Sequence, residues 1–231
     1  MSIENPVIVF ALFPGVTQLD FTGPHIVFSR VPGATVILGS AQGAAIETDG
    51  IIFAGLRRFA DIERCDIICV PGGFGVTDNA IGDQEFLREL RRLADGARYI
   101  TSVCTGSLAL GAAGLLHGRR AACHWAWREL LPAFGAIPDP GRVVHDGNIV
   151  TGGGVTAGID FALSLVAELA GPETAQAIQL QIEYAPAPPF DAGSPETAPA
   201  AILAQVRERN AAAWPQRRAA VEAAAARLAI K

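Results

Sequence analysis

Short apolar runs alternate with helical patterns along most of the chain. Pro6 to Leu12 is apolar at every position, and Asp66 to Val70 and Arg98 to Val103 are other short runs rich in β-branched residues. Apolar runs of this length without polar alternation are typical of parallel strands covered on both faces. Helical patterns occur between these runs. The chain is therefore predicted to be an α/β protein with a mostly parallel sheet.

Further elements complete this predicted frame. Gln84 to Leu93 is predicted as an amphipathic helix that Asp83 caps and Gly96 stops. Gln42 to Gly50 is predicted as a turn-like segment. The other predicted elements are a short helix to about Ser29, strands at Ala34–Ser40 and Arg119–Cys123, part of a polar-edged hairpin at Ile51–Ala54, a helix after His124–Trp127 to about Leu131, a hairpin at Val143–Val150, helices at Ile159–Leu169 and Thr174–Glu183, and a last helix from Ala200, interrupted at Pro215.

One switch from strand to helix carries candidate chemistry. Cys104 follows the strand that ends at Val103, and from Thr105 onward Ala, Leu and Gly recur at helical spacing. Small residues, Ser102 and Gly106, stand two positions away on either side, as the tight turn of a nucleophile elbow requires. The amides at the start of the helix are expected to favour the thiolate. The alternative is a buried cysteine that packs as a small hydrophobe.

Two other segments end at the same predicted edge of the sheet. Asp20 follows the first strand, so its carboxyl group either serves the cysteine or caps the next helix. Gly72 and Gly73 follow the strand that ends at Val70. Paired glycines let the backbone approach a ligand and point N–H groups at it, although they also make plain tight turns. The segment lacks the G-K-[ST] of a phosphate loop.

Two further positions are candidates for the site. Thr151 to Gly154 forms a second Gly-rich junction, which suggests close backbone packing and a helix start that can shift. We include Gly153, with Gly72 and Gly73, among the candidate substrate-binding or oxyanion-binding residues. The backbone N–H groups of Gly73 and Thr105 are candidates to hold developing negative charge. His124 is the histidine nearest in sequence to the elbow. It is either a base for the cysteine or a capping or packed residue.

Composition narrows the classes of function. The net charge of the 231 residues is −5, which argues against a nucleic-acid partner. The longest apolar candidate, Leu108 to Leu116, is too short to cross a bilayer, so no membrane association is expected. No basic residue precedes the first strand, so we expect no secretory signal and a cytoplasmic protein. The cysteines are expected to be thiols, and the spacing of Cys65 and Cys69 does not fit a metal site.

These motifs together resemble the ThiJ/PfpI superfamily, and within it the enzymes that hydrate isonitriles. The resemblance implies a flavodoxin-like three-layer sandwich like that of the class I glutamine amidotransferases. It runs nearly from end to end of the chain. The segments that carry it are Gln18–Asp20, Thr22–His25, Pro71–Gly73, Tyr99–Leu108, Thr151–Gly154, Glu183–Phe190 and Ala192–Pro195.

The resemblance also implies roles for individual residues. Cys104 is implied as the nucleophile, Asp20 as its acid/base partner, and Thr105 as the catalytic position after the nucleophile. Peptidase-like members of the superfamily have a histidine where this chain has Thr105, which argues against a Cys-His protease. The implied reaction adds water to a small-molecule isonitrile and gives an N-substituted formamide without a cofactor or metal.

The implied organisation is an α/β domain over residues 1–190 and a helical tail over residues 191–231. The tail is expected to pack on the same domain or on the partner of a homodimer. Two alternatives stay open. One is a glyoxalase-like or deglycase-like cysteine protein with the same elbow. The other is a ligand-sensing regulator domain, against which the acidic charge and the short tail argue.

Overall fold

The computed structural model describes residues 4–229. Residues 1–3 lie outside this range, and they belong to the N-terminal segment in which we expect no secretory signal. Residues 230–231 at the end of the tail also lie outside it. The strands are β1 (Val7–Leu12), β2 (Thr35–Ser40), β3 (Ile46–Thr48), β4 (Ile51–Phe53), β5 (Arg57–Arg58), β6 (Ile67–Val70), β7 (Tyr99–Val103), β8 (Arg120–Ala121), β9 (Ile137–Pro138), β10 (Val143–Asp146) and β11 (Ile149–Gly152). The α-helices are α1 (Gln18–Phe28), α2 (Gln84–Asp95), α3 (Gly106–Ala112), α4 (Ala157–Ala170), α5 (Pro172–Gln181), α6 (Ala200–Ala211) and α7 (Trp214–Ala229).

The central sheet confirms the predicted parallel arrangement. Within the described residues it has seven strands in the order β10-β11-β7-β6-β1-β2-β5. Every neighbouring pair is parallel except the hairpin of β10 and β11. Ile8, Val9 and Phe10 on β1 are fully buried, although consecutive side chains of a strand point to opposite faces. Helices therefore cover both faces of the sheet, and the fold is a three-layer α/β sandwich.

Several predicted elements have different bounds in the structure. The segment Gln42–Gly50 is not all turn, because it contains β3, which pairs with β4. Ile46 and Thr48 are buried on either side of the exposed Glu47. This alternation is typical of a strand that buries one face. The helix expected after Trp127 is a 3₁₀-helix at Arg128–Phe134. By contrast, Asp83 caps α2 as predicted, since its carboxylate accepts from two amides of the first turn.

The tail forms two helices rather than one interrupted helix. Pro215 is the second residue of α7, a position where the missing N–H has no intrahelical partner to lose. α7 packs on α3 and on the 3₁₀-helix, and it buries Val221 and Ala224 in the core. α6 buries none of its residues completely. No α-helix in residues 4–229 is long and apolar enough to span a membrane.

Candidate active site

Three adjacent strands bring the candidate site residues to one edge of the sheet. β7, β6 and β1 lie side by side and run parallel. Cys104 follows β7, Gly72 follows β6, and Asp20 lies in the first turn of the helix after β1. Because the carboxyl ends of parallel strands share one edge, residues that are distant in sequence meet there.

The predicted strand-to-helix turn at Cys104 is confirmed. Cys104 has a φ of +58°, which is rare for a residue with a side chain, and α3 begins two residues later. A Cβ on Gly106 would lie 2.0 Å from the carbonyl oxygen of Val70. The small residue beside the cysteine is therefore a steric requirement of the turn. The catalytic role of Cys104 stays a prediction.

The Asp20 carboxyl group is fully buried and belongs to the elbow rather than to its own helix. Its Oδ2 accepts a hydrogen bond of 2.9 Å from the Gly72 amide, whereas Thr17 occupies the N-cap of α1. A Cβ on Gly72 would lie 2.8 Å from this oxygen and 2.4 Å from the Thr105 nitrogen. Within residues 4–229, Oδ1 has no conventional hydrogen-bond partner. The Cys104 thiol is a polar neighbour that interacts with the carboxyl group.

Thr105 connects the glycine loop, Gly72–Gly73, to the elbow through hydrogen bonds. Its Oγ1 accepts a hydrogen bond of 2.9 Å from the Gly73 amide and donates one of 3.1 Å to the Gly73 carbonyl oxygen. The Thr105 amide interacts with the Cys104 sulfur and lowers the pKa of the thiol. Thr105 thus has a positioning role in the structure, through its hydroxyl on one side and its amide on the other.

The protonation of the cysteine differs from the sequence-based expectation. Burial, the Asp20 carboxylate and Cys123 together raise the pKa of the Cys104 thiol well above its usual value. The Thr105 amide acts in the expected direction but is outweighed. Burial also raises the pKa of Asp20 to about 7, against the lowering effects of the Gly72 amide and the cysteine. The net shift therefore favours the thiol over the expected thiolate, which gives a thiol beside the Asp20 carboxyl group.

The candidate oxyanion donors need a correction as well. The Gly72 amide is already bonded to Asp20, and the Gly73 amide to Thr105. The Gly153 amide donates to the carbonyl oxygen of Arg142 at 2.9 Å. All three N–H groups thus hold the backbone in place, and none of them is free to stabilise a developing oxyanion. These hydrogen bonds could not be predicted, because the sequence does not show which acceptor a backbone amide contacts.

A cavity of about 260 Å³ opens onto the cysteine. Cys104 is only 5% exposed, but it lines this cavity, so the alternative of a purely packed cysteine is not supported. The other lining residues are Thr17, Gly73, Phe74, Thr105, His124, Ala126, Trp127, Val155, Val206 and Asn210. The walls are largely apolar, which suits an uncharged substrate.

His124 lines the cavity in the capping role that the sequence left open. Its Nδ1 accepts a hydrogen bond of 3.2 Å from the Ala126 amide. Burial lowers the pKa of the imidazole, which favours the neutral ring. Because Nδ1 serves as an acceptor, the neutral ring carries its proton on Nε2. It therefore has no free lone pair for the proton of the Cys104 thiol, and the acid/base role of Asp20 stays a prediction.

Sequence reasoning missed the contribution of the tail. Val206 and Asn210 on α6 line the cavity at Cys104, the candidate catalytic cavity, and Arg217 on α7 stacks over its aromatic wall. The Arg217 guanidinium carbon lies 4.3 Å from the centre of the Trp127 ring and 5.0 Å from that of Phe74. α6 has no hydrophobic periodicity that would indicate a buried face, so the sequence did not predict that this helix lines the cavity.

A cysteine on a strand-to-helix elbow, with a buried carboxyl group beside it, defines a class of α/β proteins. The model of the DJ-1/PfpI family matches residues 6–168, and the chain belongs to this family. The family resemblance stated from the motifs is thereby confirmed. The match ends within α4, so α5, α6 and α7 lie beyond it.

Individual relatives place the chain more narrowly. It is 52% identical to an isonitrile hydratase from Pseudomonas putida over 223 residues, which are 96% of this chain and 97% of that protein. A ThiJ/PfpI family protein from Pseudomonas syringae has a crystal structure with a TM-score of 0.90 and 40% identity, covering 96% of this chain and 91% of its own. The crystal structure of Drosophila melanogaster DJ-1beta, at 24% identity, shows the fold alone. Its TM-score is 0.69, and the match covers 80% of this chain and all of that one.

Proposed function

We propose that the chain is an isonitrile hydratase, which adds water to an isonitrile and releases an N-substituted formamide. The observation that carries this proposal is the buried Asp20 carboxyl group beside the Cys104 thiol in a cavity with largely apolar walls. Such a pair can move one proton between sulfur, oxygen and a substrate carbon. The near full-length similarity to the hydratase of P. putida supports the same reaction.

The first step forms a bond between the Cys104 sulfur and the terminal carbon of the isonitrile. Asp20 takes the proton from the thiol and passes it to the same carbon, giving a thioimidate, R–N=CH–S–Cys. Cysteine suits this step because sulfur is strongly nucleophilic. The charge that would develop on the carbon is neutralised by this proton, so the step needs no oxyanion donor. This fits the three glycine amides, which are already bonded.

The second step hydrates the thioimidate. The Asp20 carboxylate takes one proton from a water molecule as the water oxygen attacks the carbon, and it passes that proton to the nitrogen. The tetrahedral adduct then loses its C–S bond, and the hydroxyl proton returns to the sulfur. The products are R–NH–CHO and the free thiol, so atoms and protons balance. One carboxyl group serves both steps because its pKa lies near neutral pH.

The test is a product assay with purified protein. Benzyl isonitrile should be converted to N-benzylformamide, detected by mass spectrometry, and Cys104→Ser should lower kcat by at least ~10³-fold because an alcohol is a far weaker nucleophile. Cys65→Ser is the matched control. Cys65 is also buried, but it lies outside the cavity, and a hydroxyl keeps its bond to the Leu93 carbonyl oxygen.

The same preparations should be assayed with methylglyoxal. Formamide production that survives in Cys104→Ser, or turnover of methylglyoxal without any turnover of isonitriles, would contradict the proposal. The second outcome would favour the glyoxalase-like alternative.

A further inference from the structure

A second cavity adjoins the catalytic one. It has a volume of about 420 Å³ and lies between α6, the start of α7 and the segment around Trp125. The two cavities share Ala126 and Asn210 in their walls. Small-molecule sites commonly measure ~300–1,000 Å³, and the catalytic cavity alone falls short of this range. The adjoining space brings the combined site within it.

The walls of the second cavity favour a ring. Trp125 and Trp214 contribute half-buried indoles, and Ala211 and Pro215 add apolar surface. Indole rings offer a large apolar area with a preferred stacking geometry, which fits aromatic or alicyclic groups. Arg207 and Glu129 contribute polar groups to the same cavity. This mixture of broad apolar walls and a few polar groups is typical of a small-molecule site.

A fixed side chain stands between the two cavities. The Nδ2 of Asn210 donates to the Val206 carbonyl oxygen at 2.9 Å, and its Oδ1 accepts from Arg217 Nη1 at 3.3 Å. Arg217 is itself held by its stacking over Trp127 and Phe74. The position of Asn210 is therefore set by bonds from both tail helices, and with it part of the wall that the two cavities share.

We propose that the second cavity binds the N-substituent of the isonitrile and makes the protein selective for aromatic and alicyclic substituents. The isonitrile group is linear, so a substrate with its terminal carbon at the Cys104 sulfur points its substituent away from the elbow. Asn210 and Ala126 line both cavities, so the second cavity is space next to the Cys104 cavity that the substituent could occupy. This inference rests on the proposed function. It adds a specificity site to which the tail, outside the residues that the family model matches, contributes most of the lining residues.

The test fills the cavity from one helix and compares two substrates. Ala211→Phe places a ring in the second cavity, whereas Ala204→Phe adds the same ring to an exposed position of α6 that lines neither cavity. We expect Ala211→Phe to lower the ratio of kcat/KM for benzyl isonitrile to kcat/KM for methyl isonitrile by at least ~10-fold. We expect Ala204→Phe to leave both values unchanged.

Product binding provides a second measurement that does not depend on turnover. Trp125 and Trp214 line the second cavity, and the remaining tryptophan, Trp127, lines the catalytic one. N-benzylformamide should change the tryptophan emission of the unmodified protein at concentrations where N-methylformamide does not. The Kd for N-benzylformamide should rise at least ~10-fold in Ala211→Phe and stay constant in Ala204→Phe.

The outcomes separate the two proposals. An unchanged substrate ratio in a folded Ala211→Phe would overturn the specificity site, and so would equal losses for both isonitriles. If Ala211→Phe does not fold, equal effects of the two formamides on the emission of the unmodified protein would overturn it. Failure of the unmodified protein to hydrate either isonitrile would instead remove the proposed function, and the specificity site with it.

Discussion

At the scale of single residues, the chemistry depends on the proton that Cys104 and Asp20 share. Both side chains are buried, and two adjacent negative charges in such a site would be strongly unfavourable. The structure therefore raises both pKa values, and the pair keeps at least one proton at neutral pH. The form with a thiol and a carboxylate has an acceptor ready for the proton of the nucleophile. When the carboxyl group is also protonated, this acceptor is lost.

This proton sets the pH dependence of the reaction. The pKa of Asp20 is about 7, so kcat/KM should rise with a slope near one as pH increases through about 7. It should then reach a plateau until the thiol ionises at much higher pH. The measurement is the initial rate of formamide formation between pH 5.5 and 9. Asp20→Asn should lower kcat/KM by ~10²–10⁴-fold and remove the rise near pH 7. A rise that persists in Asp20→Asn would assign the titration to another group.

At the scale of the elements, the site joins three strand ends to the C-terminal tail. β1, β6 and β7 supply Asp20, the glycine loop and the elbow. α6 closes part of the cavity, but it buries none of its residues completely, so it needs support from outside its own packing. Arg217 on α7 supplies this support, because it stacks on the cavity wall and bonds to Asn210 of α6.

Removal of this stacking should loosen the tail without touching the reacting atoms. A cation–π contact contributes ~0.5–2 kcal/mol, so Arg217→Met should lower the free energy of unfolding by about 1–2 kcal/mol. It should raise KM for benzyl isonitrile several-fold and change kcat less. Arg218→Met is the matched control, since Arg218 forms an exposed pair with Glu222 that is worth ~0.3–0.5 kcal/mol. Urea denaturation and steady-state kinetics check both variants, and equal behaviour of the two would contradict the role of Arg217.

At the scale of the whole molecule, α7 packs against α3 and the 3₁₀-helix of the same chain. Val221 and Ala224 of α7 are part of the same hydrophobic core as β1 and β6. A tail with core residues of this kind should not unfold separately from the sheet. The homodimer that the resemblance implies stays a prediction, as does the cytoplasmic location.

Unfolding experiments test this single cooperative unit. All three tryptophans lie in the two cavity walls next to the tail, so their emission reports on the docking of α6 and α7. Far-ultraviolet circular dichroism reports on the whole chain. We expect the two signals to give the same midpoint and m-value in urea. An earlier tryptophan transition would show that the tail is released before the sheet unfolds.

The sequence by itself determined the architecture and the central residues. Continuous apolar runs predicted the parallel sheet, because only strands covered on both faces can be apolar at consecutive positions. The small residues around Cys104 predicted the elbow, because the turn leaves no space for larger ones. Parallel strands share one edge, and this rule placed Asp20 at the same edge as the cysteine, whereas its place beside the sulfur was implied by the family resemblance.

Only the tertiary structure decided the electrostatics and the outer walls of the site. Burial outweighs the expected effect of the helix start on the pKa of Cys104, and sequence does not measure burial at a single atom. The glycine amides are bonded to acceptors that come from other parts of the chain. α6 lines the site because it is held against α7, and its own sequence pattern does not indicate this position. These contacts depend on three-dimensional packing between distant segments, which local periodicity does not record.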